Sequence, residues 1–103
     1  MRTLTKTGGT FTECWDFVAD HIYDRAVKSG WWENDGNDGE KIALMHSELS
    51  ECLEYIRKGD GPSDHIPEFK GSEEELADVV IRIMDYGKKR GLRIGEAIIA
   101  KTI

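Results

Sequence analysis

Two pairs of acidic residues, each pair three positions apart, lie in two separate segments of the chain that have helical periodicity. Glu48 and Glu51 form the first pair, and Glu75 and Asp78 form the second. Residues at positions i and i+3 lie side by side on a helix, so each pair can direct both carboxylates toward one point. If the two segments pack antiparallel, four carboxylates converge, and they stay ionised together only around a cation. The pattern predicts two helices that hold a hard divalent cation, since Mg²⁺ prefers carboxylate oxygens.

Apolar residues recur at three- and four-residue spacing, with Gly-, Asn-, Asp- and Pro-containing loops between the periodic segments, which predicts an all-α fold. We expect a tail over residues 1–9 and a single domain over residues 10–103. The predicted helices run from Thr10 or Thr12 to about Lys28, from about Asp38 to about Lys58, from near Ser72 to an end marked by Gly87 and Gly91, and from about Arg93 to Lys101. Ser72 is the predicted N-cap of the third helix, with Glu75 as its capping-box partner.

Both acidic pairs share a helical strip with apolar residues, which argues against the usual role of such a pair on a solvated helix face. On the second helix this strip lies beside the main apolar stripe, so we expect its carboxylates at the edge of the core. The predicted core stripes of the first three helices are Phe11, Trp15, Val18, Ile22 and Ala26; Ile42, Met45, Leu49, Cys52, Leu53 and Ile56; and Leu76, Val80, Ile83 and Met84. A lone chain of 103 residues does not readily bury so much apolar surface, so we expect a homodimer or homotetramer.

Composition excludes several classes of partner. The formal net charge of −6 and the sequence pI of about 5.0 argue against binding to a nucleic-acid duplex. No apolar stretch approaches the roughly 18–20 residues that span a bilayer, and no signal-peptide core follows Met1. Cys14 and Cys52 lie far apart in helical segments. We predict that both are buried free thiols, which favours a cytoplasmic location.

Arg82 lies one turn beyond Asp78 on the acidic side of the third helix. It could bind a substrate phosphate, because a guanidinium suits bidentate contact with phosphate oxygens. It could equally neutralise Asp78 or Asp85 within its own helix, and the structural role is the more common one.

Five other residues are candidates for contacting a substrate, and each has a structural alternative. Trp31 and Trp32 adjoin a Gly/Asn/Asp loop and could stack on a nucleobase, or pack in the core. Asn37 could read the edge of a base or cap the second helix. Lys41 and Lys101 could bind phosphate, although a lone helical lysine is usually solvated.

The acidic segments also resemble a known family. The runs H-S-E-L-S-E-C-L-E-Y-I-R-K-G-D and E-E-L-A-D-V-V-I-R-I-M-D are similar to MazG-like nucleoside triphosphate pyrophosphohydrolases, which carry the pattern E-E-x-x-E followed by E-x-x-D. The resemblance extends from about Gly39 to Lys101. Ser47 occupies the position of the first glutamate of the family pattern.

The resemblance implies a four-helix MazG-like bundle completed by dimerisation, with Glu48, Glu51, Glu75 and Asp78 as catalytic ligands of Mg²⁺, or of Mn²⁺. It implies a nucleotide substrate, hydrolysed as (d)NTP and water to (d)NMP and pyrophosphate. A water held at the site would be the nucleophile, with Glu48 or Glu51 as general base. The alternatives are a dUTPase-like or phosphoribosyl-ATP-type hydrolase, or a non-catalytic helical dimer whose acidic face binds a cation or a protein partner.

Overall fold

The computed structural model describes residues 10–103, which form four α-helices and contain no β-strand. The helices are α1 (Thr10–Lys28), α2 (Asp38–Arg57), α3 (Gly71–Arg90) and α4 (Ile94–Thr102). The expected all-α fold is confirmed for this part of the chain, and the predicted tail lies outside the described residues. Within residues 10–103, no helix has both the length and the apolar character needed to cross a bilayer.

The helix starts show which side chains satisfy the free backbone amides. Asn37 caps α2, because its Oδ1 accepts a hydrogen bond of 2.7 Å from the Glu40 amide. The predicted N-cap of α3 is wrong: α3 begins at Gly71, and the amide and hydroxyl of Ser72 donate to Asp60 at 2.9 and 2.6 Å. A residue of the preceding loop therefore holds the first turn of α3.

The described residues form two compact units, one consisting of residues 10–33 with Met84–Ile103, and the other of Asn34–Ile83. In the first unit α1 packs against α4, and Gly95 lies so close to Trp15 that an added Cβ would be 3.0 Å from the indole ring. Trp32 is buried there and donates from Nε1 to Asp85 at 3.0 Å.

In the second unit, α2 runs antiparallel to the beginning of α3. Glu48 of α2 contacts Arg82 of α3, and Tyr55 lies against Gly71. A Cβ on Gly71 would lie 2.0 Å from Cδ1 of Tyr55, so only glycine allows this approach of the two helices. The antiparallel arrangement on which the sequence argument depended is therefore present within this unit.

The loop that joins α2 to α3 is closed at its base by backbone contacts. The Gly71 amide donates to the Gly61 carbonyl and the Ser63 amide donates to the Phe69 carbonyl, both at 2.8 Å. An isolated antiparallel bridge pairs Pro62 with Lys70 between these two hydrogen bonds. These contacts fix the start of α3 relative to the end of α2.

The predicted core stripes are only partly buried. The buried residues of α2 are Met45, Glu48 and Cys52, whereas Leu53 and Ile56 of the predicted stripe are about half exposed. Glu48 therefore lies in the middle of the buried face of α2, not at its edge. The physical reason is that Glu48 of α2 and Glu75 of α3 meet between the two helices, which leaves part of each apolar stripe uncovered.

Predicted and observed burial also differ in α1 and at one of the two cysteines. Ala19 is the buried residue of α1, while Phe11 and Val18 of its predicted stripe are exposed. Both cysteines are free thiols as predicted, but only Cys52 is buried, and the expectation that Cys14 is buried was wrong.

Candidate metal centre

The antiparallel packing of α2 and α3 brings carboxylates from both helices together. One oxygen from each of Glu48, Glu51 and Glu75 lies within 4.8 Å of the other two. One oxygen from each of Glu74, Glu75 and Asp78 meets the same condition. All four predicted ligands thus belong to one of two carboxylate groups, and Glu75 belongs to both.

Glu75 is the least solvated member of these groups. It is 7% exposed, and its Oε2 is buried without a hydrogen-bond partner among the described residues. Burial, together with the neighbouring carboxylates of Glu48 and Glu51, raises the pKa of Glu75 to about 8. Burial also raises the pKa of Asp78, and the charges of Glu48 and Glu74 act in the same direction. When no cation balances their charge, these close carboxylates favour a proton on Glu75.

Arg82 partly balances this charge. Its Nε and Nη2 donate to Oε1 of Glu48 at 3.0 and 2.9 Å. Burial alone would raise the pKa of Glu48, but the hydrogen bonds with Glu75 and Arg82 outweigh it, so the pKa is lowered. The ionised form of Glu48 is therefore favoured, whereas Glu75 retains a proton at neutral pH when no metal is bound.

A cavity of about 580 Å³ opens beside the carboxylates. Its lining residues are Glu48, Glu51, Glu54, Tyr55, Lys58, Asp64, His65, Glu74, Glu75 and Asp78. The volume lies in the range of small-molecule sites. Because most of these side chains are acidic, an anionic ligand can enter the cavity only together with a cation.

Three residues of this region were missed by the sequence analysis as functional candidates. Oε1 of Glu74 accepts a hydrogen bond from Oγ of Ser63, and Oε2 lies 2.9 Å from Nδ1 of His65. Glu74 had a recognisable signal, since it lies four positions before Asp78 and hence on the same helix face. Ser63 and His65 had none, because both lie in a loop without periodicity.

The remaining candidates for substrate contact are not among the lining residues of this cavity. Asn37 caps α2, and the side chain of Lys41 lies against Gly36 at the same helix end. Trp31, Trp32 and Lys101 belong to the unit formed by residues 10–33 and 84–103.

Within that unit, Trp32 has a packing role. Its ring is buried, with Nζ of Lys89 and the guanidinium carbon of Arg90 at 5.6 and 5.7 Å from its centroid. Trp31 is partly exposed and Lys101 is exposed. The structure thus joins Arg82 to the predicted carboxylates and gives Asn37 and Trp32 structural contacts.

No protein-family model, no curated protein and no solved structure matches this chain. The geometry of the carboxylates and the sequence motif are the features that indicate a function.

Proposed function

We propose that this protein is a Mg²⁺-dependent nucleoside triphosphate pyrophosphohydrolase of the MazG-like type, which converts a (d)NTP and water to a (d)NMP and pyrophosphate. The observation that supports this most directly is the Glu75 carboxylate. It is buried between acidic neighbours from α2 and α3, and one of its oxygens has no hydrogen-bond partner among the described residues. A buried polar atom normally has a partner, and a divalent cation would supply one here.

The donor set fits Mg²⁺, because Glu48, Glu51, Glu75 and Asp78 offer only carboxylate oxygens. Mn²⁺ would fit the same donors. When bound, the metal would offset the negative charge of the phosphate oxygens as it increases in the transition state. The role of Arg82 is then to hold Glu48 ionised and oriented through its two hydrogen bonds.

Of the two candidate general bases, Glu51 is better placed than Glu48. The hydrogen bonds with Glu75 and Arg82 lower the pKa of Glu48, which makes it a weaker base. Glu51 is exposed and lines the cavity, so its carboxylate can reach a water molecule beside a bound substrate. We assign proton abstraction from the attacking water to Glu51.

Two cationic or proton-bearing side chains line the same cavity and would contact substrate phosphates. Lys58 Nζ pairs with Glu54 at 3.0 Å, an exposed contact that a phosphate can replace at small cost. His65 is also largely exposed. With the metal, Lys58 supplies positive charge for a triphosphate, and the His65 ring can donate a hydrogen bond to it.

We further propose that the chain completes a MazG-like bundle by pairing with a second copy, as a homodimer or homotetramer. Leu49, Leu53 and Ile56 on α2, and Leu76 and Val80 on α3, are each between 42% and 54% exposed. Apolar surface of this kind normally marks an interface. Sedimentation equilibrium should give at least twice the 11.7 kDa mass of the chain, and a concentration-independent monomer would contradict this assembly.

The free thiols favour a cytoplasmic location.

The test of the activity is a screen of canonical and modified nucleotides for release of pyrophosphate in the presence of Mg²⁺. The products should be a monophosphate and pyrophosphate, and Glu51→Gln should reduce kcat by about 10²-fold or more while the far-UV circular dichroism is unchanged. Asp64→Asn is the matched control, because it removes one negative charge from the lining of the same cavity but belongs to neither carboxylate group.

Three outcomes separate the alternatives. Selective hydrolysis of dUTP or of phosphoribosyl-ATP would assign the narrower activities. Mg²⁺-dependent stabilisation without any hydrolysis would leave a cation-binding helical dimer. Release of inorganic phosphate in place of pyrophosphate would contradict the proposed bond cleavage.

A further inference from the structure

His65 and Glu74 form a pair of side chains at the edge of the cavity. Nδ1 of His65 lies 2.9 Å from Oε2 of Glu74. The imidazole is 82% exposed and the carboxylate is 12% exposed, and both residues line the cavity. A contact made by such an exposed ring adds little stability. The pair is therefore better explained by a function of the ring than by a contribution to folding.

The loop residue Ser63 holds both members of this pair. Its hydroxyl donates a hydrogen bond to Oε1 of Glu74. The same oxygen accepts from the amides of His65 and Ile66 at 3.2 and 3.1 Å. Ser63 is 2% exposed, so these contacts are shielded from water. One buried hydroxyl thus positions both the backbone of His65 and the carboxylate that contacts its ring.

The contact at Nδ1 decides which nitrogen of the ring can act on a ligand. An ionised carboxylate only accepts hydrogen bonds, so Nδ1 of His65 carries the proton that is donated to Glu74. Nε2 is then the nitrogen that remains to bind and release a proton in the cavity. A carboxylate that fixes the tautomer and the orientation of a histidine is a recurrent arrangement in general acid–base catalysis.

His65 and the proposed general base, Glu51, come from different elements around the cavity. Glu51 lies on α2, whereas His65 lies in the loop after α2 and is held to α3 through Glu74. In phosphoryl transfer the attacking and the leaving oxygens lie roughly in line, on opposite sides of the phosphorus. A base and an acid on separate elements can serve these two positions.

We propose that His65 is the general acid of the reaction, with Glu74 and Ser63 as its positioning residues. The inference rests on the proposed function, because it assigns a role within that reaction. The water oxygen forms a bond to the α-phosphorus, and Glu51 accepts a proton from this water. The bond between the α-phosphorus and the bridging oxygen breaks, that oxygen keeps the electron pair, and Nε2–H of the imidazolium gives it a proton. Solvent then takes the proton from Glu51 and returns one to His65.

The first experiment varies the leaving group. The nucleotide hydrolysed fastest in the screen is compared with its β,γ-difluoromethylene and β,γ-methylene analogues, which release a less basic and a more basic leaving group than pyrophosphate. His65→Gln should lower kcat about 10²-fold or more with the natural nucleotide. The loss should be smaller with the difluoromethylene analogue and larger with the methylene analogue, because a basic leaving group depends more on protonation. His46→Gln is the matched control, since His46 is exposed on α2 and does not line the cavity.

A second cation in the cavity, Lys58, offers a direct contrast. Its ammonium group binds phosphate as a point charge, so Lys58→Ala should raise KM. The dependence of kcat on the leaving group should remain that of the wild type. A leaving-group dependence that changed in Lys58→Ala and not in His65→Gln would overturn the assignment of the acid to His65.

A double-mutant cycle tests whether Glu74 acts through His65. Glu74→Gln should lower kcat at least about tenfold in the wild-type background and have little further effect in the His65→Gln background, because residues that act as a unit are not additive. An equal loss in both backgrounds would remove the positioning role. Ser63→Ala should follow the same pattern as Glu74→Gln. Glu73→Gln is the control, since Glu73 is the exposed neighbour of Glu74.

The outcomes separate this role from the proposed function. A His65→Gln variant with wild-type kcat, or with the same loss for all three leaving groups, would overturn the role of His65 while pyrophosphate release by the wild type left the function standing. Absence of hydrolysis by the wild type would remove both. Heteronuclear NMR of the histidine rings tests the arrangement without activity: neutral His65 should carry its proton on Nδ1, and a proton on Nε2 alone would overturn the proposal.

Discussion

Replacing Glu75 by glutamine should remove most of the pH dependence of stability in the metal-free protein. The ordinary pKa of a glutamate is 4.5, and the pKa of Glu75 in the fold is about 8. Between these values the folded chain holds a proton that the unfolded chain has released. The free energy of unfolding therefore falls as the pH rises through this window. A glutamine side chain does not titrate, so the Glu75→Gln variant should lose most of this fall.

The magnitude follows from the size of the shift. The pKa of Glu75 in the fold exceeds its ordinary value by about 3.5, and each unit corresponds to about 1.4 kcal/mol. The free energy of unfolding should therefore fall by up to about 5 kcal/mol between roughly pH 4.5 and pH 8. Asp78 contributes in the same direction, since its pKa is also raised, and should leave a smaller slope in the variant. Glu48 and Asp60 have lowered pKa values, so the stability they contribute is present above their ordinary pKa and lost at more acid pH.

Urea unfolding in the presence of EDTA, followed by far-UV circular dichroism, measures the free energy of unfolding at several pH values between pH 4.5 and pH 8. The wild type should lose stability steadily toward pH 8, while Glu75→Gln should exceed the wild type by several kcal/mol at the alkaline end. Glu73→Gln controls for the loss of one negative charge from the same turn. A wild-type stability that is constant or rising across the window, or an unchanged slope in Glu75→Gln, would refute the reasoning.

Three further substitutions test single contacts. Arg82→Ala should cost about 3–5 kcal/mol in urea unfolding because it leaves the Glu48 carboxylate buried without its cation; a normal stability with a raised KM would instead make Arg82 a phosphate ligand. Gly71→Ala should cost about 1–3 kcal/mol, since its Cβ would overlap the Tyr55 ring, whereas Gly61→Ala, with open space around its Cα, should be near neutral. Asp60→Ala should lower the melting temperature by removing two hydrogen bonds to Ser72, and an unchanged Mn²⁺ affinity would show that the helix start and the metal centre are independent.

Local sequence signals were sufficient for the helices themselves. Periodicity and the glycine-rich loops predicted the bounds of α1, α2 and α4 to within one or two residues, because these signals act over a single turn. Ser72 was misassigned as an N-cap because its hydroxyl has a partner from the loop, Asp60. A contact between residues twelve positions apart cannot be read from the pattern of one helix.

Which helix faces are buried could not be derived from apolar periodicity. Periodicity identifies the residues whose burial is favourable, and it placed Leu53 and Leu76 in the core. Glu48 and Glu75 are buried instead of Leu53 and Leu76, because α2 and α3 meet around these two carboxylates. The choice of the buried face depends on how two helices pair, and on the cation and the second chain that we propose. None of these can be read from a single segment.

Residues of the candidate site could be predicted from the sequence only where acidic side chains recur at helical spacing. Glu48 with Glu51, and Glu75 with Asp78, could be paired from their spacing, and the structure brings both pairs to one cavity. His65 could not be found in this way, since its place beside Glu74 is set by the path of a loop.

The closed base of that loop has a consequence for how the chain can vary. The Gly61–Gly71 hydrogen bond and the Pro62–Lys70 bridge fix the distance between the end of α2 and the start of α3 without help from residues 66–68. The entropy of closing a flexible loop grows only slowly with its length. Extra residues inserted at the exposed tip, near Pro67, would therefore lengthen the loop while the register between the carboxylates of the two helices stayed the same. The loop can therefore change in length at this point without any change in the geometry of the carboxylate groups.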